Sequence, residues 1–264
     1  KILFEILNYA KKTEFGKKHQ FSNIKSIEEF QKRVPINTYE SLKPYILKHT
    51  KGEEDILFPG KPIMYATTSG TTNEPKWIPI TEKYHKECYS GLSKLWFYSL
   101  IKENKHAFDG HDLSIVGKAI EGFTEDGTPY GSFSGHVYQD IPKFMKSIHC
   151  LPYEVFTIKN YTARYYTILR FTLQEDITTI VTGNPSTLLE LHKLTNQYFF
   201  NLVDDIKNGT LNPPYPIDKE IYDQITNYLR PNPQRAEFLN KLTEKNNILY
   251  PKHYWPNLQI INTW

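Results

Sequence analysis

The 264 residues, 39% hydrophobic and 14% aromatic, can bury a sizeable core, which excludes the disordered class. The net charge of +3 is spread over dispersed lysines and arginines, so no nucleic-acid partner is expected. No apolar run approaches the roughly 20 residues of a membrane span, and Cys88 and Cys150 match no metal motif. We therefore expect a cytoplasmic protein without a membrane partner.

The first sixty residues predict a lead-in of short helices that ends in a turn at Phe58-Pro-Gly60. The first helix is amphipathic, and Leu3, Leu7 and Ala10 lie on its apolar stripe. The other two each begin with a capping-box pattern, in which a Ser or Asn side chain accepts a hydrogen bond from the N–H three residues later. The predicted helices cover 2–12, Ser26 to about Val34, and Asn37 to about His49.

A strand over 62–66 then leads into a loop rich in hydroxyl residues, which is the most informative part of the chain. Hydroxyl and backbone N–H donors can converge there on an oxyanion, and Gly70 permits close approach because it has no side chain. Lys76 would return a positive charge to the same anion, but Trp77 follows it, which excludes a Walker A loop. The alternative is an ordinary Ser/Thr-rich surface turn. The predicted phosphate-binding residues are Thr68, Ser69, Gly70, Thr71, Thr72 and Lys76.

A long helix is predicted after the loop, over about 82–104, with Thr81 as its cap. A helical stripe passes through Cys88, Leu92 and Leu95, so we expect Cys88 to be a core residue rather than a nucleophile. The order strand, loop, helix suits an anion site, because the loop then delivers the ligand to the edge of a sheet.

The second half of the chain alternates strands with helices, which predicts an α/β sheet with right-handed crossovers. Its first helix starts either at an Asn184 cap followed by Pro185, or at a capping box that begins with Thr187. The predicted strands cover 112–120, 177–181 and 258–262, and the predicted helices cover about 187–199, 218–229 and 233–245.

Other residues of the chain give weaker indications of a functional site. His106 and His111 have no third partner at ligand spacing, so no metal site is predicted. Tyr130, Ser134 and His136 lie in a glycine-rich stretch that could line a substrate pocket, although the preceding Asp-Gly pair equally favours a hairpin. A Ser–His–Asp hydrolase is not supported, because the chain has no G-x-S-x-G elbow.

The hydroxyl-rich loop closely resembles the [ST]-S-G-[TS]-[TS]-x-x-x-K signature of adenylate-forming enzymes. Asn73 stands where many members have glycine, and asparagine is the other residue that best tolerates positive φ. Further strings resemble the N-terminal region of one branch, the auxin-responsive promoter family of acyl acid–amido synthetases, in its bacterial type. The resemblance covers 13–81 well and the rest more loosely. Its strings include Thr13-Glu-Phe-Gly-Lys17, Val34-Pro-Ile36, Tyr39-Glu40, Pro44-Tyr-Ile46 and Lys76-Trp-Ile-Pro79.

The resemblance implies a two-step ligase reaction that uses ATP and Mg²⁺. A carboxylic acid attacks the α-phosphate of ATP to form an acyl-adenylate, and an amine such as an amino acid then displaces AMP. The loop residues named above would hold the ATP phosphates. No protein nucleophile is needed, because the enzyme positions the reactants and neutralises charge. No catalytic residue is therefore assigned.

Parts of the family pattern are missing from this sequence: an aromatic-x-x-[ST]-Glu segment, the aspartate motif for the ribose, and the small C-terminal domain. We therefore expect 1–264 to be the N-terminal part of a large α/β adenylation domain, with a helical lead-in over 1–60 and a core over 61–264. Such a fragment would be inactive alone. The alternatives are an acyl-CoA-type ligase, or a non-catalytic nucleotide- or acyl-binding module if the chain ends here.

Overall fold

The computed structural model describes residues 1–68, 75–142 and 146–263. It forms two compact units, of which the first combines Lys1–Ser93 with Ala119–His136. The second combines Lys94–Lys118 with the chain from Val137 onward. The division into a lead-in and a core at residue 60 stays a prediction. Among the described residues, no helix has the length and apolar character that crossing a membrane requires.

The expected helical lead-in is present in the first unit. In the first helix, Leu7 and Ala10 are buried and Leu3 packs beside them, which confirms the apolar stripe. In the third, the Ser26 hydroxyl accepts a hydrogen bond from the N–H of Glu29, as the capping pattern predicts. The helices are α1 (Ile2–Ala10), α2 (Glu14–Lys18), α3 (Ile27–Arg33) and α4 (Tyr39–Thr50).

The cap of α4 differs from the prediction by one residue. Thr38, not Asn37, accepts the hydrogen bond from the N–H of Ser41. The Asn37 side chain instead donates to the carbonyl of Pro35. An asparagine side chain can bond to a backbone carbonyl two residues before it in this way. The prediction that Asn37 caps this helix is therefore wrong.

Each unit contains its own sheet. In the first unit the strand order is β2-β1-β5-β4, with β1 antiparallel to β2 and parallel to β5. In the second unit the order is β3-β6-β7, and all three strands are parallel. The strands are β1 (Met64–Thr67), β2 (Trp77–Ile80), β3 (His111–Ile115), β4 (Gly122–Phe123), β5 (Pro129–Gly131), β6 (Ile177–Thr182) and β7 (Ile260–Thr263).

The predicted order of strand, loop and helix is wrong, because β2 lies between the loop and the helix. Met64 pairs with Ile80 and Thr67 with Trp77, so the two strands form an antiparallel hairpin. In β2, Ile80 is buried while Ile78 is exposed, which is the two-residue alternation of a half-buried strand. The hydroxyl-rich loop is therefore the connection of a hairpin.

The long helix begins as predicted, since the Thr81 hydroxyl accepts a hydrogen bond from the N–H of Tyr84. It starts with a π-helical segment, Tyr84–Tyr89, and continues as α5 (Ser90–Glu103). The predicted buried stripe is wrong: Cys88 is exposed, and Leu92 and Leu95 are 68% and 62% exposed. No residue of the π segment or of α5 is buried, so the apolar stripe is present in the sequence but the described chain does not cover it.

The second unit confirms the alternation of strands and helices. Its parallel sheet packs in a large core that includes Leu113, Ile168 and Ile180. The remaining helices of the described chain are α6 (Phe133–Gln139), α7 (Tyr161–Thr172), α8 (Ser186–Asn208), α9 (Lys219–Thr226), α10 (Pro233–Lys245) and α11 (Pro251–Tyr254).

Two boundaries in this unit differ most from the prediction. The strand predicted over 112–120 ends at Ile115, and the helix predicted to end at 199 continues to Asn208 through a kink at Tyr198. The Asn184 side chain accepts a hydrogen bond from the N–H of Ser186, which favours the first of the two alternatives for the start of α8. Helices and strands end where tertiary contacts end, so their boundaries follow packing more than local pattern.

A buried carboxylate network holds α7 against α8 in the second unit. Asp205 is 1% exposed and accepts hydrogen bonds from the Tyr166 hydroxyl (2.7 Å) and from the backbone N–H of Asn212 (2.8 Å). Desolvation is costly for such a carboxylate unless its oxygens are bonded, so each donor matters to the folded state.

Replacing Tyr166 by Phe should therefore lower the free energy of unfolding by about 1–3 kcal/mol, because it leaves a buried carboxylate oxygen without one donor. Urea unfolding measures this change. The matched control is Tyr161→Phe in the same helix. The Tyr161 ring is exposed, so the loss of its hydroxyl should change the free energy of unfolding by less than about 0.5 kcal/mol. Equal stability of both variants would contradict the network's role.

Candidate functional site

The hydroxyl-rich loop closes at its base. The N–H of Thr68 donates a hydrogen bond to the carbonyl of Lys76 (3.2 Å), which continues the β1–β2 ladder by one step. Thr68 and Lys76 therefore lie opposite each other where the chain enters and leaves the loop. The other predicted phosphate-binding residues, Ser69, Gly70, Thr71 and Thr72, lie outside the described residues.

Lys76 lies against an aromatic ring at the exit of this loop. Its Nζ is 5.5 Å from the centroid of the Tyr39 ring. The Tyr39 hydroxyl in turn accepts a hydrogen bond from the N–H of Trp77 (2.9 Å). An ammonium over an aromatic face is attracted by the ring quadrupole, so Tyr39 fixes both the charge and the backbone at this point.

The parallel pairing of β1 with β5 places two connections at one edge of the sheet. Tyr65 pairs with Tyr130, and Ala66 pairs with Gly131. Because the strands run in the same direction, the hydroxyl-rich loop and the Ser132–His136 segment both leave from their C-terminal ends. That edge is where α/β proteins most often bind ligands.

The segment after β5 turns tightly into α6. The Ser132 hydroxyl accepts a hydrogen bond from the N–H of Gly135 and lies 2.9 Å from the Ser134 hydroxyl. Just before it, a Cβ on Gly131 would overlap the carbonyl oxygen of Ala119. Only glycine permits this close approach of two backbones, so Gly131 keeps β5 in place beside the loop strand.

Three side chains that the sequence did not identify as a group gather beside His136. His85 and Tyr89 come from the π segment, and Phe133 is the first residue of α6. The ring centroids of Tyr89 and Phe133 are 4.8 Å apart, and those of His85 and His136 are 5.8 Å apart. A π turn has no clear sequence signal, which is why this cluster was missed.

Tyr130 lies elsewhere, in a groove on the same unit. Its ring stacks on Trp77 at 4.9 Å, and both rings line a cavity of about 470 Å³ together with Tyr39 and the exposed side chain of Phe123. The structure therefore separates the three residues predicted for a substrate pocket: Ser134 and His136 follow β5, whereas Tyr130 belongs to the groove wall.

The Asp-Gly pair forms the predicted hairpin turn between β4 and β5. Gly127 has a φ of +84°, and the Asp126 carboxylate accepts a hydrogen bond from the Thr124 hydroxyl (2.5 Å). Burial raises the pKa of Asp126, but hydrogen bonds from Thr124 and Thr128 and the charge of Lys61 lower it by more. The pKa therefore lies below its ordinary value, and the ionised form stabilises the hairpin.

The histidines that were considered for metal binding face carboxylates. His106 Nδ1 lies 2.7 Å from an Asp109 oxygen, and His111 Nδ1 lies 3.5 Å from a Glu175 oxygen. Within the ranges that the structure describes, no group of three His, Cys, Asp or Glu side chains could hold a metal ion.

These features can be compared with known proteins. A family model described as GH3 family N-terminal domain matches residues 1–264. The chain belongs to the GH3 family. Relatives of this GH3 chain are named as amido synthetases, which confirms the resemblance to the acyl acid–amido synthetases. That it is of the bacterial type stays a prediction.

The GH3 relatives are longer than this chain. It is 27% identical over 248 residues to the indole-3-acetic acid-amido synthetase GH3.15 of Arabidopsis thaliana, covering 89% of this chain and 41% of the relative. It is 24% identical over 230 residues to the jasmonoyl--L-amino acid synthetase JAR4 of Nicotiana attenuata, covering 83% and 39%. The chain therefore spans less than half of the length of these relatives.

Solved GH3 structures have the same fold. The GH3.15 acyl acid amido synthetase matches with a TM-score of 0.82 at 23% identity, covering 100% of this chain and 47% of that one. The AtGH3.15 acyl acid amido synthetase in complex with 2,4-DB matches with a TM-score of 0.83 at 21% identity. The predicted α/β fold is thus confirmed as that of the N-terminal part of such enzymes.

The lowered pKa of Asp126 predicts how the stability of the hairpin depends on pH. A depressed carboxyl pKa stabilises the folded state above the unfolded value of about 3.9, and that stabilisation is lost as the pH falls through the folded pKa. The difference in melting temperature between the unaltered protein and Asp126→Asn should therefore shrink between about pH 5 and pH 3. Glu125→Gln, at the exposed neighbouring position, should leave the pH profile unchanged; a constant Asp126→Asn difference would contradict the assignment.

Proposed function

We propose that the protein forms an amide between a carboxylic acid and an amine such as an amino acid, by way of an acyl-adenylate made from ATP. The family membership supports this reaction, as do the amido synthetase names of the relatives. The single structural observation that carries it is the parallel register of Ala66 with Gly131. That register brings the end of β1, where the phosphate loop begins, beside the segment that contains Ser134 and His136.

The residues at the loop fit the phosphates of ATP. Lys76 supplies a fixed positive charge at the loop exit, and the Thr68 side chain at the entrance carries a hydroxyl donor. In this proposal Ser69, Gly70, Thr71 and Thr72 complete the cradle with hydroxyl and backbone N–H donors. Hydrogen bonds to a charged group contribute roughly 1.5–3 kcal/mol each, so a few of them suffice to hold a triphosphate. When bound, ATP supplies the adenylyl group that activates the acid.

Magnesium enters this proposal as part of the nucleotide substrate. Mg²⁺ in such sites is usually bound by one or two protein carboxylates together with phosphate oxygens and water. The proposal therefore does not need a group of three metal-binding side chains among the residues that the structure describes. The Lys76 ammonium and the Mg²⁺ ion would together neutralise the negative charge of the phosphates.

The acid is proposed to bind beside the aromatic cluster of the π segment and α6. Phe133 and Tyr89 offer ring faces and edges to an apolar or aromatic acyl group, while His85 and His136 can donate to a carboxylate. Ser134 lies in the same turn. The substrate carboxylate is itself the nucleophile, so these residues need only orient it toward the phosphorus and exclude water.

A screen of carboxylic acids by pyrophosphate release tests the first step and defines the acid. Supplying amino acids, simple amines or CoA in the second step then identifies the acceptor. Amide formation is expected, and release of an acyl-CoA alone would show an acyl-CoA-type ligase instead. We also assign the protein to the cytoplasm, where ATP and amino acids are plentiful and where Cys88 and Cys150 would stay reduced.

Lys76→Ala, in the complete natural polypeptide that contains this chain, should lower the rate of acid-dependent ATP–pyrophosphate exchange by about ten- to a thousandfold, because a charge-stabilising donor is lost. Lys25→Ala, which removes an exposed lysine from the loop before α3, is the matched control and should leave exchange unchanged. Equal exchange rates for the two variants would show that the phosphate site has been misplaced.

Phe133→Ala should raise the KM for the acid by about three- to tenfold, because the acyl group loses an aromatic contact. The KM for ATP should not change, since Phe133 follows β5 rather than the phosphate loop. Phe123→Ala, at an exposed ring in β4, should change neither constant. An increase in the KM for ATP alone would contradict the proposed division between the acid and nucleotide sides.

A further inference from the structure

We infer that Tyr39 is a positioning residue, which holds Lys76 and the exit of the phosphate loop in place for the nucleotide. This inference rests on the proposed role of Lys76 at the ATP phosphates. Tyr39 is the first residue of α4 and lies 38 positions before Trp77 in the sequence. No phosphate motif includes it, and its side chain reaches the loop only in the folded unit.

One side chain makes two contacts with two consecutive residues. The hydroxyl of Tyr39 accepts the N–H of Trp77 at 2.9 Å, and its ring lies 5.5 Å from the Nζ of Lys76. The first contact fixes the backbone that follows the loop, and the second fixes the direction of the lysine side chain. Lysine has a long stem with a large rotamer entropy, so an external contact is needed to keep its ammonium in one place.

A ring is better suited to this task than a carboxylate would be. An aspartate or glutamate beside Lys76 would pair with the ammonium and compete with phosphate for it. The aromatic quadrupole attracts the ammonium without carrying a formal charge, so the contact does not neutralise the lysine. Tyr39 can therefore hold Lys76 while leaving the charge available to an anionic ligand.

The parts that carry Tyr39 and its partners are themselves fixed. Thr38 caps the helix that begins at Tyr39. On the other side, the Trp77 ring stacks on Tyr130 at 4.9 Å and lies 5.7 Å from the ring of Tyr65, which is fully buried. The N–H of Trp77 thus belongs to an edge strand that pairs with β1 and whose Trp77 ring packs on two other rings, so it presents a stable donor to the Tyr39 hydroxyl.

The test compares Tyr39→Leu with Tyr39→Phe in the complete natural polypeptide, by ATP–pyrophosphate exchange. Tyr39→Leu removes the ring and should raise the KM for ATP by about two- to fivefold, the size of one cation–π contact, while the KM for the acid stays constant. Tyr39→Phe keeps the ring and loses the hydroxyl acceptor, so it should lower the melting temperature while the KM for ATP changes by less than about twofold. An unchanged KM for ATP in Tyr39→Leu would overturn the inference.

A double-mutant cycle separates this inference from the proposed function. Introduced into Lys76→Ala, Tyr39→Leu should add no further change in the KM for ATP, because its effect passes through the lysine. Additive effects would overturn the positioning role while leaving the phosphate site intact, whereas no effect of Lys76→Ala itself would overturn the proposed function.

The control for a loss of packing is Tyr45→Leu, in the same helix. Tyr45 contacts Phe15 and accepts a hydrogen bond from Lys18. This variant should lower the melting temperature without changing the KM for ATP. A rise in that KM equal to the rise in Tyr39→Leu would show a general loss of structure and overturn the specific role of Tyr39.

Discussion

The parallel pairing of β1 with β5 is the contact on which the candidate site depends. Two register pairs, Tyr65 with Tyr130 and Ala66 with Gly131, align strands that are separated by more than sixty residues. The pairing requires a glycine at 131, because any side chain there would overlap the backbone at Ala119. With this register, the chain that leaves each strand enters the same edge of the sheet, so the hydroxyl-rich loop and the Ser132–His136 segment begin next to each other.

Lys76 is held by a neutral group, the face of the Tyr39 ring. The ring attracts the ammonium without neutralising it, so this contact leaves the positive charge of the lysine available to an anion. Neutral groups also gather near His136, where imidazole and aromatic side chains lie close together and carry no negative charge.

Local signals predicted much of this architecture. The cap at Ser26, the apolar stripe of α1, the β-branched strand β6 and the Asp-Gly hairpin are decided within a few residues, so the sequence shows them directly. Predictions were wrong where contacts with a distant part of the chain decide the secondary structure or the burial of a residue. β2 forms because its alternating residues pair with β1, and Cys88 is exposed because the described chain buries no residue of the π segment or of α5.

The sequence alone determined the family and the α/β class, because the family strings and the alternation of strand and helix patterns are local features of the chain. Tertiary structure alone decided which side chains from distant parts of the chain meet. Tyr39 meets Lys76, and His85 and Tyr89 meet Phe133, only after a sheet register and a helical phase have been set. Those contacts depend on pairing free energies between segments far apart in the chain, and no short pattern of residues encodes them.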